Sequence, residues 1–310
     1  MEPVVTIRTF LQVIEHGSFS AAARAADVAV SSITRQIDAL EKHLGTPVLI
    51  RSTHSLTPTE AGLTLIQHAR TALGDIDDAI RHIQGLDHQL SGKIVLTAPM
   101  TFGQKYLTPL LPPFLNQYPA LHVDIRLTDH YLNLIQEGVD IAVRVGEHEV
   151  PDLILHPFLS NAHVACAAPS YLAKHGAPTH PDQLKQHACL IHHHKHSELG
   201  WSFFQAHQQL VVFPQGPLAT DNSLLLIGSA VAGLGIVLMP VWAIIDELDK
   251  GELVPILNDW QVISPFGSSL YFATPPHRRQ AEKVRVLRSF LMNAFAELAR
   301  RSQKYLPQET

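Results

Sequence analysis

Cysteine is nearly absent: Cys166 and Cys189 are the whole complement of this 310-residue chain. Two thiols cannot build a disulfide framework, which points to a reducing compartment. Long hydrophobic runs are also missing, since no uninterrupted apolar stretch reaches the roughly 18–20 residues that a membrane span needs. The start, MEPVVTIRTFLQV, has no cationic segment leading into an apolar run and a cleavage site. A cytoplasmic protein with no membrane partner is therefore expected. The net charge is only −5, so bulk positive charge does not hold this chain on nucleic acid. Catalytic signatures are lacking as well: HExxH, GxSxG, a P-loop and paired CxxC do not occur, so no enzyme and no cofactor are expected. Gly233-Leu234-Gly235 lacks a third glycine and precedes its strand, which excludes a dinucleotide loop.

What is present is core-forming. With 46% hydrophobic residues and a mean hydropathy of +0.08, the chain can offset the ordering entropy of folding. Its length suits two or three domains.

The first sixty residues read as short helices. Ile7, Phe10, Leu11 and Ile14 make one helical face, and His16-Gly17-Ser18 ends it. Ser18 or Ser20 can cap the next helix, about Ser20 to Ala26, which is almost all alanine and permits close helix approach. A third helix is predicted over about Ser31 to Leu44, with Ile33, Ile37, Leu40 and Leu44 inward. Its outer face carries Ser31, Arg35, Asp38 and Lys42, flanked by Ser32 and Thr34. Short hydroxyls and one arginine allow such a face to enter a major groove, with Arg35 reaching guanine or a phosphate. A helical mini-domain with a solvated face is the plainer reading of the same periodicity.

Thr57-Pro58-Thr59-Glu60 reads as a capping box with proline at the first helical position. Ile66, Ala69, Leu73, Ile76, Ile80 and Ile83 follow at alternating spacings of three and four. That is a heptad seam in a helix of about 30 residues, roughly 45 Å long. It suits a partner helix, with packing inside the subunit as the alternative.

From Lys93 strands alternate with helices. Ile94–Ala98, Leu121–Leu127 and Asp140–Val145, each with helices between, predict a parallel sheet covered by helices. Further on, strands are expected at Ala162–Ala167, Gly235–Leu238 and Leu270–Ala273, and helices at Pro169–His175, Asn222–Ala232 and about Gln280–Arg300.

The string GSFSAAARAADVAVSSITRQIDALEKHLGTPVLIRSTHSLTPTEAG, Gly17 to Gly62, resembles the winged helix-turn-helix of the LysR-type transcriptional regulators. APMTFGQKYLTPLLPPFLNQYP, VDIAVRVGE, APSYLAKHG, GLGIVLMP and LYFAT resemble the family's periplasmic-binding-protein-like effector domain. The resemblance implies a mainly α winged helix-turn-helix domain at 1–60 and a linker and dimerisation helix at 58–90. It implies an α/β two-lobed effector-binding domain at 92–305, with lobe one at 92–161 and 267–305 and lobe two at 162–266. It also implies DNA contacts from Ser18, Ser20, Ser31, Ser32, Thr34, Arg35, Gln36, the wing arginine Arg51 and His54, which replaces a second wing arginine. Ala29-Val30 depart from the family's Ser-Gln, and Val30 can touch no more than a thymine methyl. Residues 1–60 hold five Lys/Arg against six Asp/Glu, so nonspecific affinity is expected to be low and salt-sensitive.

The effector positions implied are Thr101, Phe102, Arg144, Thr220, Asp221 and Asn222. Helix N-termini plus Arg144 suit a small anion. Helix capping by Thr101 and Asn222, and an ion pair of Arg144 with Glu147 or Asp140, are equally compatible. The expected partners are double-stranded promoter DNA, a small-molecule effector, a second copy in a homo-dimer or homo-tetramer, and RNA polymerase. The resemblance thus implies ligand-modulated DNA binding. A solute-binding module leaves the recognition helix and the seam unexplained, and an enzyme needs convergent groups that are not visible. His192, His194 and His196 can share a strand face and ligate zinc or copper, but with 20 histidines scattered through the chain no metal is assigned. Cys166 reads as a small buried hydrophobe; a redox pair with Cys189 requires proximity.

Overall fold

The computed structural model describes residues 2–51, 56–83, 90–130, 132–146, 153–193, 200–206, 208–264, 266–279 and 281–306. The chain forms two compact units, Met1–Gly92 with Ile135–Gly138, and Lys93–Leu134 with Val139–Thr310.

In the first unit, α1 (Pro3–His16), α2 (Phe19–Ala25) and α3 (Val30–Leu44) precede a small hairpin, β1 (Leu49–Arg51) and β2 (Leu56–Pro58), and a long helix, α4 (Glu60–Ile83). The core joins Phe10, Val13, Ala22, Ala23, Ile33, Ile37, Leu40, Val48 and Leu49. The buried stripe of α1 therefore centres on Phe10 and Val13, with Ile7, Leu11 and Ile14 at its margin. Leu44, placed inward by periodicity, is exposed. Glu41 secures the hairpin by accepting hydrogen bonds from the amides of Val48 and Leu49, at 2.9 and 3.2 Å.

The start of α4 differs from the capping box expected at Thr57. Thr57 and Pro58 belong to β2, paired with Ile50 and Leu49. Thr59 is the cap: its Oγ1 accepts from the Gly62 amide at 3.0 Å and donates to the Pro47 carbonyl at 2.8 Å. A Cβ on Gly62 would stand 2.1 Å from the Val48 carbonyl oxygen, so glycine is what lets helix and hairpin close. The heptad seam also divides. Ala69 and Leu73 are buried, and Ile66 packs on the domain's own core, whereas Ile76 and Ile80 remain 41% and 46% exposed.

The second unit contains two mixed sheets. The first, of five strands, follows the order β4-β3-β5-β15-β6 and uses β3 (Gly92–Ala98), β4 (Leu121–Leu127), β5 (Ile141–Val145), β6 (Ile154–Ser160) and β15 (Ser269–Thr274). β3 and β5 are parallel as the alternation predicts, but β15 runs antiparallel to β5 and β6, because the chain returns here from the other sheet. Between β3 and β4 lie α5 (Met100–Phe102), a π-helical turn (Gly103–Leu107) and α6 (Thr108–Gln117). The last long helix, α10 (Glu282–Ser302), buries Val284, Leu287, Leu291, Phe295 and Leu298.

The second sheet comprises β7 (His163–Ala167), β8 (Cys189–His192), β9 (Trp201–Gln205), β10 (Gln208–Val212), β11 (Leu218–Thr220), β12 (Ile236–Pro240), β13 (Val254–Ile256) and β14 (Gln261–Ile263). Its order is β10-β9-β14-β7-β12-β8-β11, with β13 also on β7. Helices α7 (Pro169–His175), α8 (Ser223–Val231) and α9 (Val241–Asp249) accompany it.

Asn161, 1% exposed, ties the two crossovers between sheets. Its amide donates to the Ser268 carbonyl at 2.8 Å, its Nδ2 to the Gly267 carbonyl at 3.0 Å, and its Oδ1 accepts from Trp242 Nε1 at 3.0 Å. The π-helical turn adds a second tie: Lys105 Nζ donates to the Ala243 carbonyl at 2.7 Å and reaches Glu247 at 3.1 Å, and Tyr106 donates to the Trp242 carbonyl.

Candidate functional site

The outward surface of the helix-turn-helix follows from its packing. With Ile33, Ile37 and Leu40 committed to the core, Ser31 and Arg35 are turned outward and exposed, with Ser32 and Thr34 half-buried beside them. α3 starts at Val30, one residue earlier than expected, and its N-cap Ala29 supplies no side-chain hydrogen bond. The amides of its first turn thus face outward without a side-chain cap, a geometry suited to a phosphate oxygen. Val28 and Val30 are exposed at the same tip, the right surface for thymine methyls. Arg35 Nε donates to the Ser31 carbonyl at 3.2 Å, which extends the side chain along the helix towards its N-terminus.

Two expected contact residues serve the fold. Ser18 caps α2, its Oγ accepting from the Ala21 amide at 3.1 Å. Gln36 turns towards α1, where its Oε1 accepts from the Thr9 hydroxyl. Ser20 is exposed. The backbone of Arg51 lies in β1, but its side chain and the whole of His54 lie outside the described residues. Arg8 is held by Asp77 through a bidentate pair at 2.6 and 2.9 Å, which raises its pKa through hydrogen bonding and withdraws one of the few cations from a DNA role.

In the second unit, Thr220, Asp221 and Asn222 form one cap. Asn222 Oδ1 accepts from the Leu225 amide at 3.0 Å, and the Asn222 amide donates to Thr220 Oγ1 at 3.1 Å. β11 pairs with β8, so Thr220 stands opposite His192. Burial lowers the pKa of His192, while the nearby charge of Asp129 and the Asp221 backbone oppose the shift. Asp129 follows β4 and accepts from the Met100 amide at 3.1 Å, at the N-terminus of α5. Asp129 thus links the start of α5 electrostatically to His192, which stands opposite the cap residue Thr220. Sequence reasoning missed Asp129 as a site residue, although its place just after a strand's carboxyl end was a usable signal. It noticed His192 only as a metal ligand; His194 and His196 lie outside the described residues.

One effector expectation changes. Phe102 is fully buried, with ring centroids 5.2–5.9 Å from Tyr106, Phe158, Trp242 and Phe295; it is core rather than pocket wall. Asp140 pairs with Arg278, Nε to Oδ1 at 3.2 Å, and accepts from the Val95 amide at 2.7 Å. Glu147 lies outside the described residues. Thr101 is buried at the helix start, and Arg144 is half-buried near the end of β5. Gly146 follows it at φ +78°, with room for no Cβ: one would stand 1.7 Å from the Phe266 carbonyl oxygen.

The cysteines cannot form a redox pair in this fold. Cys166 is opposite Val237, whose other neighbour is Leu190, while Cys189 is opposite Ile236. The two lie two strands apart and one residue out of register, so they point to opposite faces. Their separation is at least roughly 9–10 Å, beyond the ~7 Å Cα limit of a disulfide. Burial raises both thiols, Cys189 to about 12.

Residues 5–63 match the family model for bacterial regulatory helix-turn-helix proteins of the lysR family, and residues 87–296 match the LysR substrate binding domain. The probable HTH-type transcriptional regulator LtrA of Klebsiella pneumoniae is 29% identical over 282 residues, 91% of each chain. An uncharacterized HTH-type transcriptional regulator of Haemophilus influenzae is 31% identical over 261 residues, 84% of this chain and 91% of its own. The full-length Vibrio cholerae virulence activator AphB superposes with a TM-score of 0.57 at 27% identity, over 94% of this chain and 99% of that one. These relatives are regulators rather than enzymes, and the two matched models together account for both units: the chain belongs to the LysR family of DNA-binding transcriptional regulators.

Proposed function

We propose that this regulator binds promoter DNA as a homo-dimer or a tetramer built from dimers, with α3 of each subunit in a major groove, and that a small anionic effector between the two sheets changes its promoter binding. Residues 1–60 serve DNA, 58–90 pair subunits, and 92–305 bind the effector, with lobe one at 92–161 and 267–305 and lobe two at 162–266. The observation that carries the DNA reading is the outward Ser31–Arg35 face backed by the fully committed Ile33–Ile37–Leu40 stripe. The exposed Ile76 and Ile80 on α4 support a helix partner, since two apolar residues on one helix face are otherwise left in water. Arg144, near the end of β5, and the start of α8 support an anion. An effector acts only if it binds open and closed lobe arrangements with different affinity. RNA polymerase is the partner through which bound protein would change transcription, in the cytoplasm.

The test is a fluorescence-anisotropy titration of the chain's own upstream intergenic DNA. Arg35→Ala should weaken specific binding by about 1–3 kcal/mol, roughly 5- to 150-fold, while leaving the thermal unfolding transition in place. Equal operator affinity in the variant would show that the register of α3 on DNA is misassigned. Complete absence of binding by folded wild-type dimer at low salt would remove the regulatory reading of this surface.

A further inference from the structure

The five-stranded sheet gathers basic side chains near the strand ends opposite the crossovers. Ser269 begins β15 beside the crossover and Thr274 ends it, five residues and roughly 16 Å further on. At that far end, His156 is opposite Phe272 and Ile154 is opposite Thr274. The Phe272 ring stacks towards Phe295 of α10, so His156 and Thr274 share the sheet face that α10 covers. Arg288 lies on α10, and Arg279 just before it.

Among the described residues, three polar atoms there are buried without a hydrogen-bond partner: His156 Nδ1, Arg288 Nη1 and Thr274 Oγ1. The basic groups also sense one another. Burial, then the charges of Arg288 and Arg279, lower the His156 pKa; burial, then Arg279 and Arg285, lower that of Arg288. Among the described carboxylates nearby, Asp140 is taken by Arg278 and Glu282 by Arg285, the latter at 3.4 Å on the surface. The N-terminus of α10 adds its positive pole, and its N-cap Ala281 contributes no side chain to offset it. An unpartnered buried donor costs about 1–3 kcal/mol, and more when charged, so this arrangement is unfavourable as a purely internal feature.

We propose that His156, Thr274, Arg279 and Arg288 form a binding site for a tetrahedral oxyanion, inorganic phosphate or a phosphate group of a small metabolite, separate from the cleft between the sheets. A guanidinium, an imidazole and a hydroxyl approach from α10, β6 and β15, three directions that suit a tetrahedral group better than a planar carboxylate. The anion neutralises the mutual repulsion and gives the buried donors their acceptor. Because β6 and β15 are also the strands that run into the crossovers, occupancy stiffens lobe one at its base. The site does not depend on the reading of the DNA surface or of the cleft.

The test uses the full chain and thermal unfolding at fixed ionic strength, with chloride replaced by inorganic phosphate, glucose 6-phosphate or acetate. A saturable rise in Tm is expected with phosphate and not with acetate; a larger rise with the sugar phosphate would identify a metabolite as the better source. Arg288→Gln should weaken phosphate binding at least ten-fold. It should also reverse sign with conditions: the variant matches or exceeds wild type without phosphate, where a repelling charge is gone, and falls below it when phosphate saturates. Arg279→Gln, at a more peripheral position, serves where Arg288→Gln does not fold, with the same loss of phosphate response. Arg126→Gln, on the other edge of the sheet, should leave the response intact. No phosphate response in wild type, or an acetate response equal to it, overturns the proposal.

Discussion

Replacing Gly62 by alanine tests how the DNA-binding unit is closed. Alanine favours a helix interior by about 1 kcal/mol over glycine, so propensity alone predicts stabilisation. The structure predicts the reverse. The added Cβ would lie 2.1 Å from the Val48 carbonyl oxygen and 3.1 Å from its carbon, both backbone atoms that cannot rotate away. Relief requires the first turn of α4 to draw back from the hairpin. That movement strains three hydrogen bonds: Thr59 amide to the Val48 carbonyl at 3.1 Å, Thr59 hydroxyl to the Pro47 carbonyl at 2.8 Å, and Gly62 amide to Thr59 Oγ1 at 3.0 Å. At about 1 kcal/mol each, their loss outweighs the propensity gain and leaves a net destabilisation of about 1–3 kcal/mol. Gly74 is the control, in the same helix with nothing within 4 Å of a Cβ, and Gly74→Ala should stabilise by up to about 1 kcal/mol. Urea titrations of the two variants, followed by far-ultraviolet circular dichroism, should therefore move the midpoint of the first unit in opposite directions. If both variants shift upward, close contact of α4 with the hairpin is not what the glycine provides.

Ile76→Asp should separate subunits, read as a fall in sedimentation coefficient at micromolar concentration; an unchanged coefficient rejects α4 as the pairing element. Asn161→Ala leaves the Trp242 indole N–H and the Gly267 carbonyl without their partner, and should lower the stability of the second unit by about 2–4 kcal/mol in urea unfolding followed by tryptophan fluorescence. A loss under 1 kcal/mol would mean that the crossovers are held elsewhere. Burial depresses His156, His187 and His192 below the ordinary value of 6.5. The unfolded chain then binds more protons than the folded one below that value, so stability is full above about pH 7 and declines as pH falls below 6.5. In phosphate-free buffer the Tm of the second unit should trace that decline, and a Tm rising between pH 6.5 and 5 would contradict it.

The helix-turn-helix was legible because a 3.6-residue period and a buried stripe are local facts. Ile33, Ile37 and Leu40 declare their face without help from the rest of the chain. The seam of α4 shows where such reasoning ends. Ala69 and Leu73 have the spacing of a coiled coil, yet their surroundings within the subunit bury them, and only tertiary structure separates them from Ile76 and Ile80. Thr57-Pro58-Thr59-Glu60 was ambiguous for a similar reason, since β2 claims the first two residues and moves the cap to Thr59. In the second unit, α9 has no separate signal in the sequence, because the apolar run 236–245 crosses Pro240, where strand gives way to helix. Thr220 to Asn222 were found as a helix start, but their pairing with His192 on β8 and the approach of Asp129 depend on contacts between distant segments. Phe102 carried a hydrophobic ring in a site-like position, and four other aromatic rings claimed it for the core.

Charge connects the two halves of the DNA proposal. Residues 1–60 have five Lys/Arg in all, and Asp77 holds Arg8. Each phosphate neutralised contributes about 0.9 to the salt slope of log affinity, so a subunit with at most four remaining cations has a shallow slope and weak nonspecific attraction. A surface this poor in charge needs a second copy nearby. Once one α3 is seated, a linked subunit presents the other at a high effective concentration and can multiply affinity by 10²–10⁴ without a new contact. Loss of pairing through Ile76→Asp should then cost far more operator affinity than loss of Arg35 from each subunit. The salt slope measured for the pairing-defective variant should be about half that of the dimer. A monomeric variant that keeps operator affinity would break this link between the exposed isoleucines of α4 and the polar face of α3.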